Sequence, residues 1–152
     1  MTPEQKLADL GLELPEVPAP VAAYVPAVRT GNLVYTSGQL PFAHGKLLMT
    51  GKLGAELTTE QGAEMAAVCA LNALAVLRSE VGDLLKVTRI VKVVVFVASE
   101  PAFTDQPKVG NGASELLAQV FGEAGRHARS AVGVAALPLD APVEVELIAE
   151  VA

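Results

Sequence analysis

The residues best suited to chemistry lie in the last quarter of the chain, Arg129-Ser-Ala-Val-Gly-Val-Ala-Ala-Leu-Pro-Leu-Asp-Ala-Pro-Val-Glu-Val-Glu-Leu-Ile-Ala149. This stretch reads as a β-hairpin with an arginine on one strand and acids on the other. A guanidinium set among Ala, Gly and Val needs an anionic partner, and its planar fork fits a carboxylate or phosphate with two parallel hydrogen bonds. Two partners are open. Glu144, on the returning strand, could pair with Arg129 as a structural salt bridge, or it could act beside a separate anionic ligand. A buried ion pair by itself is weak evidence of function. Glu146 and Glu150 share the alternating face of Glu144, so a solvated acidic stripe is a further reading of these three.

The same alternation places Arg129, Ala131, Gly133 and Ala135 on one face, and three of the four have almost no side chain. Such a face admits a second backbone or a ligand at close range. In an isolated protomer it is expected to be an exposed apolar patch of the kind that marks an interface.

The elements that must position these groups follow from capping and periodicity. Thr2-Pro-Glu-Gln5 is a helix start with a capping box, stopped at Gly11. Pro15, Pro18 and Pro20 extend the chain into a strand over Ala22 to Arg29, and a turn at Thr30-Gly-Asn leads to a strand over Leu33 to Thr36. Ser37-Gly38-Gln39 ends that strand, and Pro41 to Gly54 is a loop with room for a short strand near Leu47. Thr58 and Gln61 form a second capping box, after which Met65, Val68, Cys69, Leu74, Leu77 and Val81 keep helical spacing as far as Gly82. Val87 to Ala98 is apolar on both alternating faces, as suits a central strand covered on each side. A second long helix is expected from about Phe103 to Gly122, irregular at first because of Pro107, Gly110 and Gly112. Strands over about Ala128 to Ala136 and Val143 to Val151 complete the chain. The order predicts one α+β domain over residues 1–152, a mixed sheet with two main helices on one face and the other face open.

Composition narrows the function classes. Of the 152 residues, 51% are hydrophobic and 18% charged, against about 25% charged in an ordinary soluble domain. Subunit contacts are therefore expected to cover much of the surface. Charged residues, Gly or Pro interrupt the apolar stretches before the roughly 20 residues of a membrane span, and no basic leader precedes an apolar core. The lone cysteine, Cys69, makes no internal disulfide, which fits a cytoplasmic protein. A formal charge of −6 argues against nucleic acid as a general partner. His44 and His127 form no familiar metal spacing with Cys69, so a metal is not expected.

Several separated motifs then converge. Tyr24-Val-Pro-Ala-Val, Gly31-Asn-Leu-Val-Tyr-Thr-Ser-Gly-Gln-Leu-Pro41, Arg129-Ser-Ala-Val, Leu137-Pro and Val143-Glu-Val-Glu-Leu-Ile-Ala resemble, in order and spacing, the Rid family of YjgF-type reactive-intermediate deaminases. The resemblance implies a chorismate-mutase-like fold, a homotrimer with ligand clefts between subunits, and cofactor-free hydrolysis of enamines and imines such as 2-aminoacrylate to 2-keto acids and ammonia. It also implies roles: Arg129 holds the substrate carboxylate, Glu144 orients water or passes a proton, and Tyr24, Ser37 and Gly38 line the cleft. Asn111 falls near the family's asparagine position, and backbone N–H groups near Ala131 supplement Arg129 if the strand edge there is free.

The chain departs from the pattern in its N-terminal helix and its longer loop before the long helix. It also has His127 in place of a common proline, Ala131 in place of a common cysteine, and Pro26 in place of a frequent polar residue. Simple readings compete at the other positions. Ser37 and Gly38 could form only a turn, Tyr24 could be an ordinary strand aromatic, His127 a surface or interface residue and Cys69 core. At the level of function, the alternatives are a non-catalytic binder of small carboxylic or 2-keto acids and an RNA-cleaving or translation-inhibiting protein, the latter disfavoured by the acidic charge.

Overall fold

Both capping boxes form. In a computed structural model, which describes residues 1–18 and 23–152, the Thr2 hydroxyl accepts from Gln5 N–H while the Gln5 side chain accepts from Thr2 N–H, and Thr58 and Gln61 repeat the pattern. These caps start α1 (Pro3–Asp9) and α2 (Thr59–Val81). Gly11, at φ +73°, follows the end of α1, and Gly82, at φ +91°, ends α2, both conformations that a residue with a side chain adopts only under strain. The N-terminal strand, β1 (Ala27–Thr30), is shorter than the sequence pattern suggests, and part of its proline-rich approach lies outside the described residues. A turn through Gly31 and Asn32 joins it to β2 (Leu33–Thr36). The loop that follows carries a small hairpin, β3 (Phe42–Ala43) and β4 (Lys46–Leu47).

The rest of the chain is β5 (Val87–Ala98), α3 (Gln106–Phe121), β6 (Ala128–Val134) and β7 (Val143–Val151). The main sheet runs in the order β1-β2-β7-β5-β6. Only the β5–β6 pair is parallel. The architecture is thus α+β with a mixed sheet, and α2 and α3 pack on one face.

Three expectations need correction. The last two strands do not form a hairpin, because β5 lies between them: β7 pairs with one edge of β5 and β6 with the other. The twelve-residue β5, apolar on both faces, takes an interior position between β7 and the edge strand β6 and displaces the local pairing. Second, Arg129, Ala131 and Gly133 do not form the open face. They align with Val93, Val95 and Val97 of β5, which are completely buried under the helices, so this face of β6 points to α3. The small residues serve the close approach of that helix. Third, α3 is regular from its first turn. Pro107 falls where a proline is tolerated, and its two glycines are packing positions.

At Gly112 a side chain would collide with the Ala63 carbonyl of α2, and at Gly110 it would press on the Arg129 guanidinium, 3.1 Å from Nη1. Val93, Val95 and Val97 of β5, with Val143, Val145, Leu147, Ala149 and Val151 of β7, form the sheet side of the core. Cys69, Leu74 and Leu77 of α2 and Val109, Leu117 and Val120 of α3 close it. By length and composition α2 could cross a membrane, but most of its apolar stretch is buried in this core.

The other face of the sheet has no helix. Val94 and Phe96 of β5 and Ile148 of β7 are only half-buried there, and Val28, Tyr35 and Val132 are exposed. The double-sided apolar pattern of β5 is therefore covered on one side only within the protomer.

Candidate active site

The predicted residues sort into two groups on opposite faces of the sheet. Arg129, the second residue of the edge strand β6, reaches under α3. Its Nη1 donates to Asn111 Oδ1 at 2.9 Å and to Ser114 Oγ at 3.1 Å, and its Nη2 donates to the Pro107 carbonyl at 3.2 Å. Three acceptors one helical turn apart hold the guanidinium, with Gly110 leaving the space in which it lies and Ala131 beside it. None of these acceptors is an acid. A guanidinium has five N–H donors and three are used here, so two remain, and its charge is uncompensated. Among the described residues Arg129 has no ion-pair partner. This arrangement can bind an anion.

The second group is on the open face. Thr36 Oγ1 accepts from Leu147 N–H at 3.1 Å, and Gln39 exchanges backbone hydrogen bonds with Val145 at 2.8 and 3.0 Å, so the chain bulges past β7 at Ser37-Gly38. The Glu144 side chain fills the space left at Gly38, where a Cβ would lie 2.7 Å from Oε1. Gly38 is thus glycine for the sake of Glu144. The Ser37 hydroxyl donates to the Val25 carbonyl at 2.6 Å, which ties the Tyr24-Val25-Pro26 segment to this end of β2; Tyr24 is 66% exposed. Asn72, a buried amide on the apolar face of α2, donates to the carbonyls of Leu40 at 2.9 Å and Phe42 at 3.0 Å and anchors the loop from below. Burial raises the Glu144 carboxyl above its ordinary range, and the nearby charge of Glu146 raises it further. Such a carboxyl can take up and release a proton closer to neutrality than an exposed one.

Within one protomer the two groups do not meet. Arg129 aligns with Val93 and Glu144 with Phe96, on strands either side of β5. With about 4.8 Å between strands and about 3.3 Å per residue, their Cα atoms are roughly 14 Å apart, and the sheet separates the side chains. The intrachain salt-bridge reading is excluded. Cys69 is core, its thiol donating to the Val143 carbonyl at 3.5 Å and pushed well up in pKa, chiefly by burial.

Comparison with known proteins now decides the relationship. A family model described as "YjgF/chorismate_mutase-like, putative endoribonuclease" matches residues 4–151. The chain belongs to this family. Its relatives include Protein TCP17 of Trypanosoma cruzi, 49% identical over 145 residues, spanning 95% of this chain and 91% of that one. A 2-iminobutanoate/2-iminopropanoate deaminase of Dermatophagoides farinae is 33% identical over 137 residues, spanning 90% and 92%. Among solved structures, a protein of unknown function from Agrobacterium tumefaciens superposes with a TM-score of 0.94 at 46% identity, covering 99% of this chain and 92% of that one. The α+β architecture is that of the YjgF family.

Sequence reasoning missed three contributors. Ser114 had no motif to mark it, since a helical serine is ordinary. Asn72 carried a weak signal as an amide among apolar residues at helical spacing. His127, read as a surface or interface residue, is half-buried: its Nε2 lies 2.9 Å from Ser114 Oγ and its Nδ1 2.6 Å from the Gly125 carbonyl oxygen.

Proposed function

We propose that this protein hydrolyses small carboxylate-bearing enamines and imines, such as 2-aminoacrylate, to 2-keto acids and ammonia without a cofactor, in clefts between the subunits of a homotrimer. The observation that carries the reading is the separation of an uncompensated guanidinium on one face of the sheet from a carboxyl on the other whose pKa burial raises above the ordinary range. A single small ligand can contact both only if Arg129 comes from one protomer and Glu144 from its neighbour. The open face supports such an assembly, because Val28, Tyr35, Val94, Phe96, Val132 and Ile148 leave a broad apolar surface around Glu144. The deaminase named above supports the reaction class.

The chemistry follows from the groups present. The two free N–H donors of Arg129 take the substrate carboxylate, and β6, being an edge strand, offers backbone N–H groups near Ala131 in support. The 2-amino-enoate tautomerises to the imine, whose carbon is already electrophilic. Water attacks that carbon while the Glu144 carboxylate of the neighbouring protomer accepts its proton. The same carboxyl then returns a proton to nitrogen, and the carbinolamine loses ammonia to give the 2-keto acid. Ser37 Oγ, with lone pairs still free to accept, and Tyr24 flank this path.

The test couples the protein to a dehydratase that makes 2-aminoacrylate from serine and follows pyruvate formation. Faster release than the spontaneous rate supports the reading. An unchanged rate, with 2-keto acid binding intact, would leave the protein a carboxylate binder.

A further inference from the structure

The Arg129 guanidinium is linked to a hydrogen-bonded chain that nothing in the proposed reaction uses. Arg129 Nη1 donates to Ser114 Oγ at 3.1 Å; Ser114 Oγ lies 2.9 Å from His127 Nε2; and His127 Nδ1 lies 2.6 Å from the Gly125 carbonyl. The two ends fix the direction of their own links. Arginine only donates and a carbonyl only accepts. His127 must therefore carry a hydrogen on Nδ1, and in the neutral imidazole Nε2 is then an acceptor for the Ser114 hydroxyl, whose lone pairs are turned to Arg129. Without that acceptor the hydroxyl would rotate toward the preceding-turn carbonyl of α3, as helical serines do. The far end is rigid, because Gly125 is buried and a side chain there would collide with the Leu117 carbonyl.

We infer that His127 and Ser114 are positioning residues that aim the two free donors of Arg129 at the substrate carboxylate. Asn111 and Pro107 fix one edge of the guanidinium, and the Ser114–His127 chain stops its rotation about the remaining axis. Donors aligned in sequence polarise one another, so the chain holds more firmly than its separate links would. The inference rests on Arg129 being the carboxylate anchor, and the experiment separates the two.

In the assembled wild-type protein, nitrogen NMR of the histidine rings should show the Nδ1–H tautomer at His127, with His44→Gln used to assign the only other histidine. Pyruvate and the uncharged pyruvamide serve as binding probes. His127→Phe should weaken pyruvate binding about 10-fold, as expected for a lost orienting hydrogen bond to a charged group, and leave pyruvamide unchanged. His127→Gln, which offers an acceptor near the Nε2 position, should restore most of the affinity. Ser114→Ala should weaken pyruvate similarly, and the double variant should be no worse than either single one. An Nε2–H tautomer, additive losses, or equal weakening of both probes would overturn the inference. Loss of pyruvate binding in Arg129→Ala, with His127→Phe like wild type, would remove the chain's role and keep the anchor. No effect of Arg129→Ala would remove the anchor itself.

Discussion

Arg129 and Glu144 occupy opposite faces of one sheet, with β5 between their strands. Arg129 is held by three neutral acceptors of its own chain, and Glu144 fills the space left at Gly38. Neither has an ion-pair partner among the described residues.

Arg129→Lys should impair carboxylate binding although it keeps the charge, because an ammonium cannot span Pro107, Asn111 and Ser114 and still present two donors to a ligand. Isothermal titration should show a loss of about 10-fold to 100-fold for pyruvate, a smaller loss for pyruvamide, and unchanged assembly. Equal loss for both probes would point to a structural role.

Gly38→Ala should cost activity more than stability. The added Cβ would lie 2.7 Å from Glu144 Oε1, so the flexible carboxyl must move, while the Gly38 backbone is in a range open to alanine. Turnover of 2-aminoacrylate should fall about 10-fold or more from misplacement of the acid, with the melting temperature within a few degrees of wild type. Wild-type turnover would show that the position of Glu144 does not matter to the reaction.

Glu144→Gln should lower turnover by about 100-fold to 10,000-fold and leave 2-keto acid affinity nearly unchanged, the pattern of a lost proton-transfer group. Its pH behaviour has a definite sign. The folded protomer raises the Glu144 carboxyl, so it binds more protons than the unfolded chain above the ordinary carboxylate range. The stability this contributes is present at low pH and lost as pH rises through the folded value. Denaturant titrations of wild type should therefore show a decline over that window that Glu144→Gln lacks. Wild-type activity should rise over the same window as the carboxyl ionises. A variant with the same pH–rate profile would assign the proton transfer to another group.

Local signals carried most of the elements. Thr2 and Thr58 announce their helices because a capping box involves only four successive residues, and β7 begins and ends where its alternation does. The meeting of Gly38 with Glu144 is, by contrast, a contact between segments more than a hundred residues apart. What could not be read was the side of the sheet on which each motif falls. Period-two alternation shows that Arg129, Ala131 and Gly133 share a face, but the choice of face depends on β6 pairing with β5 rather than β7, a contact more than thirty residues away in sequence. The glycines of α3 misled for a similar reason. Gly110 and Gly112 look like helix breakers locally, and their cause is the guanidinium and the α2 backbone that press against them.

Light scattering should find a trimer well below micromolar protein concentration, because the apolar residues around Glu144 on the open face need a cover. Substituting Val132, 43% exposed at the centre of β6 on that face, with Glu should dissociate it by placing an unpaired charge in the contact. A monomeric wild type with full deaminase activity would contradict the interfacial cleft.

A cleft shared between protomers can be tested by complementation between two inactive variants. Arg129→Ala lacks the anchor and Glu144→Gln lacks the proton-transfer group, so each homotrimer should be nearly inactive. When the two are unfolded together in equal amounts and refolded, a cleft that joins Arg129 of one protomer to Glu144 of the next is intact in about one quarter of cases by random assortment around a closed ring. Recovery of about one quarter of the wild-type rate of 2-aminoacrylate hydrolysis is expected. Mixed trimers that stay as inactive as their parents, while wild type treated in the same way recovers fully, would show that no cleft combines Arg129 and Glu144 from neighbouring protomers.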